Sequence, residues 1–355
     1  MNFRTLTLAA AAALLAAGAQ AQSSNVTLSG VVDAAARSVH NEKGTTQSLV
    51  SGANSTSRLI LRGSEDLGGG LKAGFWLEGS FATDTGTPPT QFWDRQATVR
   101  LSGPWGEIRL GRDWVPSFLS YAGADTMGYV GIGGAGNLIS ASATTAINRA
   151  FGSTTATTSR TNNALEYWLP GNLGGVYGQV MVAPGERANA QSNFNLYGAR
   201  LGYANKAINV SGHTTSSRID ATGSRWSESG LTGLYTTAGG VKFSAAWIDI
   251  KYLDSKQTNL IVGVRVPIGA HELKASYGRA DQKGQNAAGA SIDANDGQLF
   301  VLSYVYHLSK RSAVYANAAQ IRNKGAATFA LSGGPSGAQP GTNHSGYEFG
   351  IRHTF

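Results

Sequence analysis

Along most of the chain, apolar and polar residues change places every second position, the period of a strand whose two faces meet different surroundings. In residues 56–66, Arg58, Ile60, Arg62 and Ser64 share one face while Leu59, Leu61 and Gly63 share the other. In residues 71–81, Leu71, Ala73, Phe75 and Leu77 point one way, and Lys72, Trp76, Glu78 and Ser80 the other. Farther on, Ile108 and Leu110 alternate with Glu107, Arg109 and Asp113. The final stretch, GYEFGIRHTF, sets Tyr347, Phe349, Ile351, His353 and Phe355 against Glu348, Gly350, Arg352 and Thr354. That pattern predicts a closing strand with one apolar face.

The connections come in two alternating kinds. Tight, small-residue turns are predicted at 67–70, 103–106, 170–175, 204–206, 238–240, 267–270 and 308–311. Between them lie long polar segments at 40–55, 84–92, 114–161, 282–295 and 323–343. Strands of about ten residues or more exceed the usual length in soluble sheets. Aromatic residues gather near strand ends (Trp168, Tyr203, Trp247, Tyr252, Tyr304, Tyr306), as interfacial girdles would require. Counting from residues 25–38 to residues 345–355 gives about 16 strands, an even number. The fold class is therefore all-β: a transmembrane antiparallel β-barrel. A barrel of that size is too wide for side chains to fill, so its interior should hold water.

Composition sharpens the setting. Residues 1–21 read as a cleaved signal peptide, with Arg4 in the basic region, an alanine-rich apolar run, and Ala19-Gln20-Ala21 as the cleavage site. Residues 22–355 then form one barrel domain. The chain has no cysteine, which excludes disulfides, thiol catalysis and thiolate metal sites. After the leader there is no apolar run of about 18 residues, so only a closed sheet offers a way across a bilayer. Against 21 acidic residues stand 29 lysines and arginines, a formal net charge of +8.

Five segments, SSNVTLSGVVDA, GSEDLGGGLKA, RQATVRLSGPWGEIRLGR, LSKRSAVYA and YEFGIRHTF, follow one another along the chain. Together they resemble the trimeric general-diffusion porins of Gram-negative outer membranes, in particular their anion-preferring proteobacterial branch. The resemblance implies a homotrimer in outer-membrane lipid and a third outer loop, residues 114–161, folded into the pore. It also implies passive diffusion of small hydrophilic solutes, with small anions or organic acids in transit. Tyr347, Phe349, Ile351 and Phe355 would be the insertion signal read by the barrel assembly machinery. Other readings are a substrate-specific channel for organic acids and a structural or adhesive barrel with a closed lumen.

A channel selects by the size and field of its narrowest part. Alternation places Arg58, Arg62, Arg100 and Arg109 on polar faces, with Glu78 beside the first two. Arg160 shares parity with Glu166. The resemblance points most directly at Arg58, Arg95 and Arg160, with Glu78 as acidic partner. Arg95 poses a difficulty, because strict alternation puts it with Ala97, Val99 and Leu101, the side facing lipid. It must lie above the apolar band or be turned by a bulge. Between Asp113 and Glu166 the only acid is Asp125, so the field across the loop should be lopsided and positive.

Nothing in the sequence points to an enzyme or a cofactor. The six histidines are scattered without metal-ligand spacing, and the DANDG stretch at 293–297 lacks the glutamate that would complete a calcium loop. The glycines of 128–137 have no strand-to-helix context for phosphate binding; they suit a backbone lying close against a wall. The arginines are dispersed one or two per strand, unlike a nucleic-acid footprint.

Overall fold

The computed structural model describes residues 24–152, 158–185, 195–219 and 223–355. The expected signal peptide lies outside these residues. Seventeen strands join one antiparallel sheet that closes on itself. In order they are β1 (Ser24–Asn41), β2 (Gly44–Ser51), β3 (Arg58–Gly68), β4 (Leu71–Ser80), β5 (Gln96–Gly103) and β6 (Gly106–Trp114). Then come β7 (Arg160–Trp168), β8 (Val176–Ala183), β9 (Leu196–Ala204), β10 (Ile208–Arg218), β11 (Arg225–Thr236) and β12 (Lys242–Tyr252). The wall ends with β13 (Ser255–Ile268), β14 (His271–Gly284), β15 (Gly297–His307), β16 (Ser312–Asn323) and β17 (His344–Thr354).

These make sixteen staves, because β2 and β3 are two halves of one. The far half of β1 pairs with β2 (Ala34↔Ser51 to Asn41↔Gly44) and the near half with β3 (Ser24↔Glu65 to Val31↔Arg58). The segment between them bulges inward and is held by Asp33, whose carboxylate accepts from the amides of Ala53, Asn54 and Ser55 and from the Tyr315 hydroxyl. The predicted long connection at 40–55 is thus a tight turn, with Lys43 N donating to Asn41 Oδ1 at 2.8 Å, followed by more strand. The threonines and serines of β2 carry too little apolar contrast for that alternation to stand out.

The barrel is sealed between β1 and β17, in register from Val31↔Thr354 to His40↔Ser345. Beyond β17, Phe355 and Gly30 exchange both backbone hydrogen bonds at 3.1 Å. The Phe355 ring lies over Gly30, where any Cβ would stand 2.5 Å from its Cζ. Tyr347, Phe349, Ile351 and Phe355 all point outward, 44–58% exposed, as their alternation predicts. His353, on the same face, bonds to Ser312 at the short-turn rim.

Outward faces carry exposed aliphatic and aromatic residues, including Tyr203, Trp247 and Tyr304. Two expected girdle members are corrected: Tyr252 is buried inside the barrel, and Trp168 carries an arginine on its ring. The inner wall also departs from a simple polar lining. Ile248, Ile250 and Ile321 face inward at 0% exposure, because loops cover them.

Candidate functional site

The covering loop is the third long connection, between β6 and β7. It turns into the barrel at Pro116, which stands at the first position of helix α1 (Pro116–Ala124), where its missing N–H costs nothing. Helix α1 packs on β8–β12, α2 (Gly136–Ile139) on β14 and β15, and α3 (Ala146–Phe151) on β12 and β13. Phe118, Tyr121, Ile139 and Ile147 join Trp226, Ile248 and Ile250 in one core, while Ile132 and Leu138 join Leu299, Val301 and Ile321 in a second. Each buried aliphatic side chain contributes about 1.5–3 kcal/mol, so the loop is seated like a domain core.

Backbone contacts fix its course. Gly131 has φ +66, and a Cβ there would lie 2.3 Å from the Ala53 carbonyl oxygen. Next to it, Ile132 N donates to Glu348 Oε1 at 3.3 Å. The glycine run does bring loop backbone against the wall. The last long connection, between β16 and β17, also packs inward, placing Phe329 and Leu331 in the second core. Sequence reading treated that segment as a polar outer loop; its apolar residues number too few to show a period.

With β8–β17 largely covered, the strands that carry the arginines, β3–β7, form the opposite side. Glu78 Oε1 meets Arg95 Nε at 2.5 Å and Arg58 Nε at 3.4 Å. Arg58 also donates to the Thr56 carbonyl at 2.9 Å and Ser55 Oγ at 3.2 Å. Arg95 and Arg160 lie on the Trp114 ring, at 5.1 and 3.5 Å from its centroid. Arg58 and Arg95 therefore share one carboxylate, with Arg160 beside them on the Trp114 ring. The neighbouring Asp94 is taken by the Ser80 amide at 2.7 Å and hydroxyl at 2.8 Å.

The alternation problem at Arg95 resolves here. Arg95 precedes β5, and its amide bonds to the Glu78 carbonyl at 3.1 Å while the chain turns toward the loop, so strand parity does not govern it. Arg160 reaches the group despite a register shift between β6 and β7, where Asn163 has φ +56.

Arg62, Arg100 and Arg109 do not join this group. Arg62 lies four residues from Arg58 toward the short-turn end, about 13 Å at the rise of a strand. Arg62 and Arg100 flank the Trp76 ring at 5.3 and 5.1 Å. Arg109 bonds to Glu107, reaches Asp113 at 3.2 Å and stacks on Trp168 at 3.8 Å; Arg200 lies on the same ring at 5.8 Å. The wall thus holds three tryptophans, Trp114, Trp76 and Trp168, each bearing two arginines. An indole face attracts a guanidinium without cancelling its charge, unlike a carboxylate. Sequence reading found five of these six arginines and missed Arg200 and the role of the tryptophans. Arg200 shares parity with Gly198 and Gly202, a signal that was there to find.

Asp125 is also corrected. It faces into the loop and is 5% exposed. Its carboxylate accepts from the amides of Met127 at 3.0 Å, Tyr129 at 2.9 Å and Ala135 at 2.9 Å. Burial lifts this carboxyl above its usual 3.8, opposed by those three amides. Asp125 organises the loop and offers no charge to the channel.

Residues 7–326 match the Gram-negative porin family. Outer membrane porin protein 32 of Delftia acidovorans is 34% identical over 366 residues, 98% of this chain and 99% of that protein. Among solved structures, an anion-selective porin from Comamonas acidovorans superposes with a TM-score of 0.81 at 33% identity, covering 94% of this chain and 100% of its own. OmpT of Vibrio cholerae in its trimer form shares the fold, with a TM-score of 0.65 at 16% identity over 94% and 100% of the two chains.

Proposed function

Because the chain belongs to the Gram-negative porin family, a family of outer-membrane diffusion channels, we propose that it prefers anions and that Arg58, Arg95 and Arg160, the first two sharing the Glu78 carboxylate, set that preference where the third loop narrows the pore. One observation carries the reading. Arginines on β3–β9 rest on indoles, and the inward loop, whose one acid is buried, opposes them with no carboxylate. Fixed positive charge beside low-dielectric walls raises the local anion concentration. The anion-selective structure from Comamonas acidovorans, 33% identical, supports the same sign.

We also infer assembly as a homotrimer, in keeping with the trimer form of OmpT. The outward row Tyr347, Phe349, Ile351 and Phe355 serves as the insertion signal for barrel assembly. Purified trimers in a planar bilayer test the main reading. A KCl gradient should give a reversal potential near that of chloride; a potential near that of potassium overturns it. A large steady conductance is expected, and its absence would favour a closed structural barrel.

A further inference from the structure

We propose that the outward surface of β12–β17 seats one phosphorylated, multi-chain lipid of the outer leaflet. A concavity in this surface takes its hydrocarbon chains, and a crown of cations above takes its phosphates. Solutes in the pore never meet this face, so the channel reading leaves it without a role.

Strand register builds the concavity. One row of outward residues runs Ala275, Leu302, Ala318, Tyr347 across β14–β17, alternating small and large. The row beside it adds Tyr277 and Phe300, whose ring centroids lie 5.2 Å apart. Where the alanines stand the surface sinks, and a concavity of about 910 Å³ lies over these residues. Exposed apolar relief of this kind marks a surface made for a membrane or a partner.

Toward the long-loop rim the same strands turn cationic. The next row is Leu260, Arg279, Gln298 and Arg322, and Arg322 lies over the Phe300 ring at 5.0 Å, so crown and concavity share a side chain. Two rows higher, Lys251, Lys256 and Lys283 stand directly opposite one another on β12, β13 and β14. Like charges so placed repel, and the surface supplies few acids to offset them. Asp249 meets both Lys251 at 3.0 Å and Lys256 at 3.1 Å. Asp281 meets Arg279 at 3.3 Å and Lys283 at 3.7 Å, and Asp296 meets Arg279 at 3.6 Å. Arg322 donates to the neutral Gln320 Oε1 at 3.0 Å and makes no ion pair among the described residues. Five cations thus stand against three carboxylates.

The depth suits a headgroup. Arg149 of the third loop bonds Ser255 Oγ at 2.8 Å, which marks the lysine end as the outer side. Arg279 lies about 26 Å along its strand from His271 at the short-turn rim, or about 19 Å in height at a tilt of about 45°. Trp247, in the same row, is exposed as an interfacial tryptophan would be. Arg279 and Arg322 stand two strands apart, about 10 Å, so a head with two phosphates can engage both. Guanidinium forks match phosphate oxygens, and ammonium groups add point charge.

Native mass spectrometry of the purified full-length protein, with bisphosphorylated lipid A as the probe, tests this. Retained lipid should saturate at one per chain, and the dephosphorylated form should bind at least ten-fold more weakly. Arg279→Gln and Arg322→Gln should each weaken retention about five-fold, the worth of one basic residue at a membrane surface. Ala275→Phe fills the concavity without touching the charges and should weaken it likewise. Should the arginine variants fail to assemble, Lys283→Gln serves instead, since its side chain is 59% exposed. In every variant the KCl reversal potential should match that of the unaltered protein, which places the loss on the outer face of an inserted barrel. Equal retention of the dephosphorylated lipid, or unchanged retention in the variants that insert, overturns the seat. So does an Ala275→Phe protein that loses its oligomeric state while retaining lipid A, because a second copy would then cover the concavity.

Discussion

The indole nitrogen of Trp76 donates to Glu78 Oε2 at 3.1 Å, and the other oxygen of that carboxylate takes Arg95 at 2.5 Å. One acid thus links two groups of arginines at different depths of the wall. Replacing Glu78 by Gln removes the single negative charge shared by Arg58 and Arg95. The chloride-to-potassium permeability ratio should rise about two-fold. A bilayer reversal potential reads the change, and heat-modifiable migration on a gel reports whether the trimer is intact.

Removing the cations should act oppositely. Arg58→Ala and Arg160→Ala are each expected to lower the permeability ratio about two- to three-fold without unfolding the barrel. An unchanged ratio would leave these arginines as wall structure alone.

Gly131 offers a direct handle on the inward loop. Valine there must adopt a left-handed backbone, at about 1–2 kcal/mol, and also meets the Ala53 carbonyl. Loosened from the wall, the loop should give larger and noisier single-channel currents, with stave pairing unaffected by circular dichroism.

Asp125→Ala should loosen the same loop from within, by leaving three buried amides without their acceptor at about 1–3 kcal/mol each. The pH dependence follows from the raised carboxyl pKa. A group raised on folding contributes stability that is full below its unfolded value and is lost as pH rises through the folded one. Open-channel noise in the unaltered protein should therefore be no greater at pH 4 than at pH 8, whereas the alanine variant should be noisy at both.

At the seam, Phe355→Ala and Gly30→Leu should have the same consequence, since leucine displaces the ring that rests on Gly30. Both are expected to reduce the yield of assembled trimer several-fold while surviving channels conduct normally. Normal yields in membrane fractions would refute the role given to Phe355.

Much of this architecture was legible because a barrel wall writes itself in alternation. Tyr347, Phe349 and Ile351 could be read as one face, and Arg58 and Glu78 as the other, from parity alone. Parity failed where the backbone leaves the ladder, at Arg95, one residue before β5; at Arg160 it placed the side chain inward with Glu166 even across a register shift. Nor does parity alone account for Ile248 and Ile250, whose inward apolar faces make sense only once a distant loop lies on them. No local pattern reveals that Asp125 turns into its own loop, because three amides from residues 127, 129 and 135 decide its direction. The tryptophans were visible as residues, yet their pairing with arginines crosses neighbouring strands and exists only after register is set.

The exchange of hydrogen bonds between Gly30 and Phe355 also bears on how the molecule forms. It joins positions from opposite ends of the sequence, so the ring cannot close until nearly every other strand has found its neighbour. Such non-local pairing is slow to reach. The same topology works in reverse: with no free edge to peel from, unfolding must breach a continuous ladder, and the finished barrel should persist long after conditions cease to favour its formation.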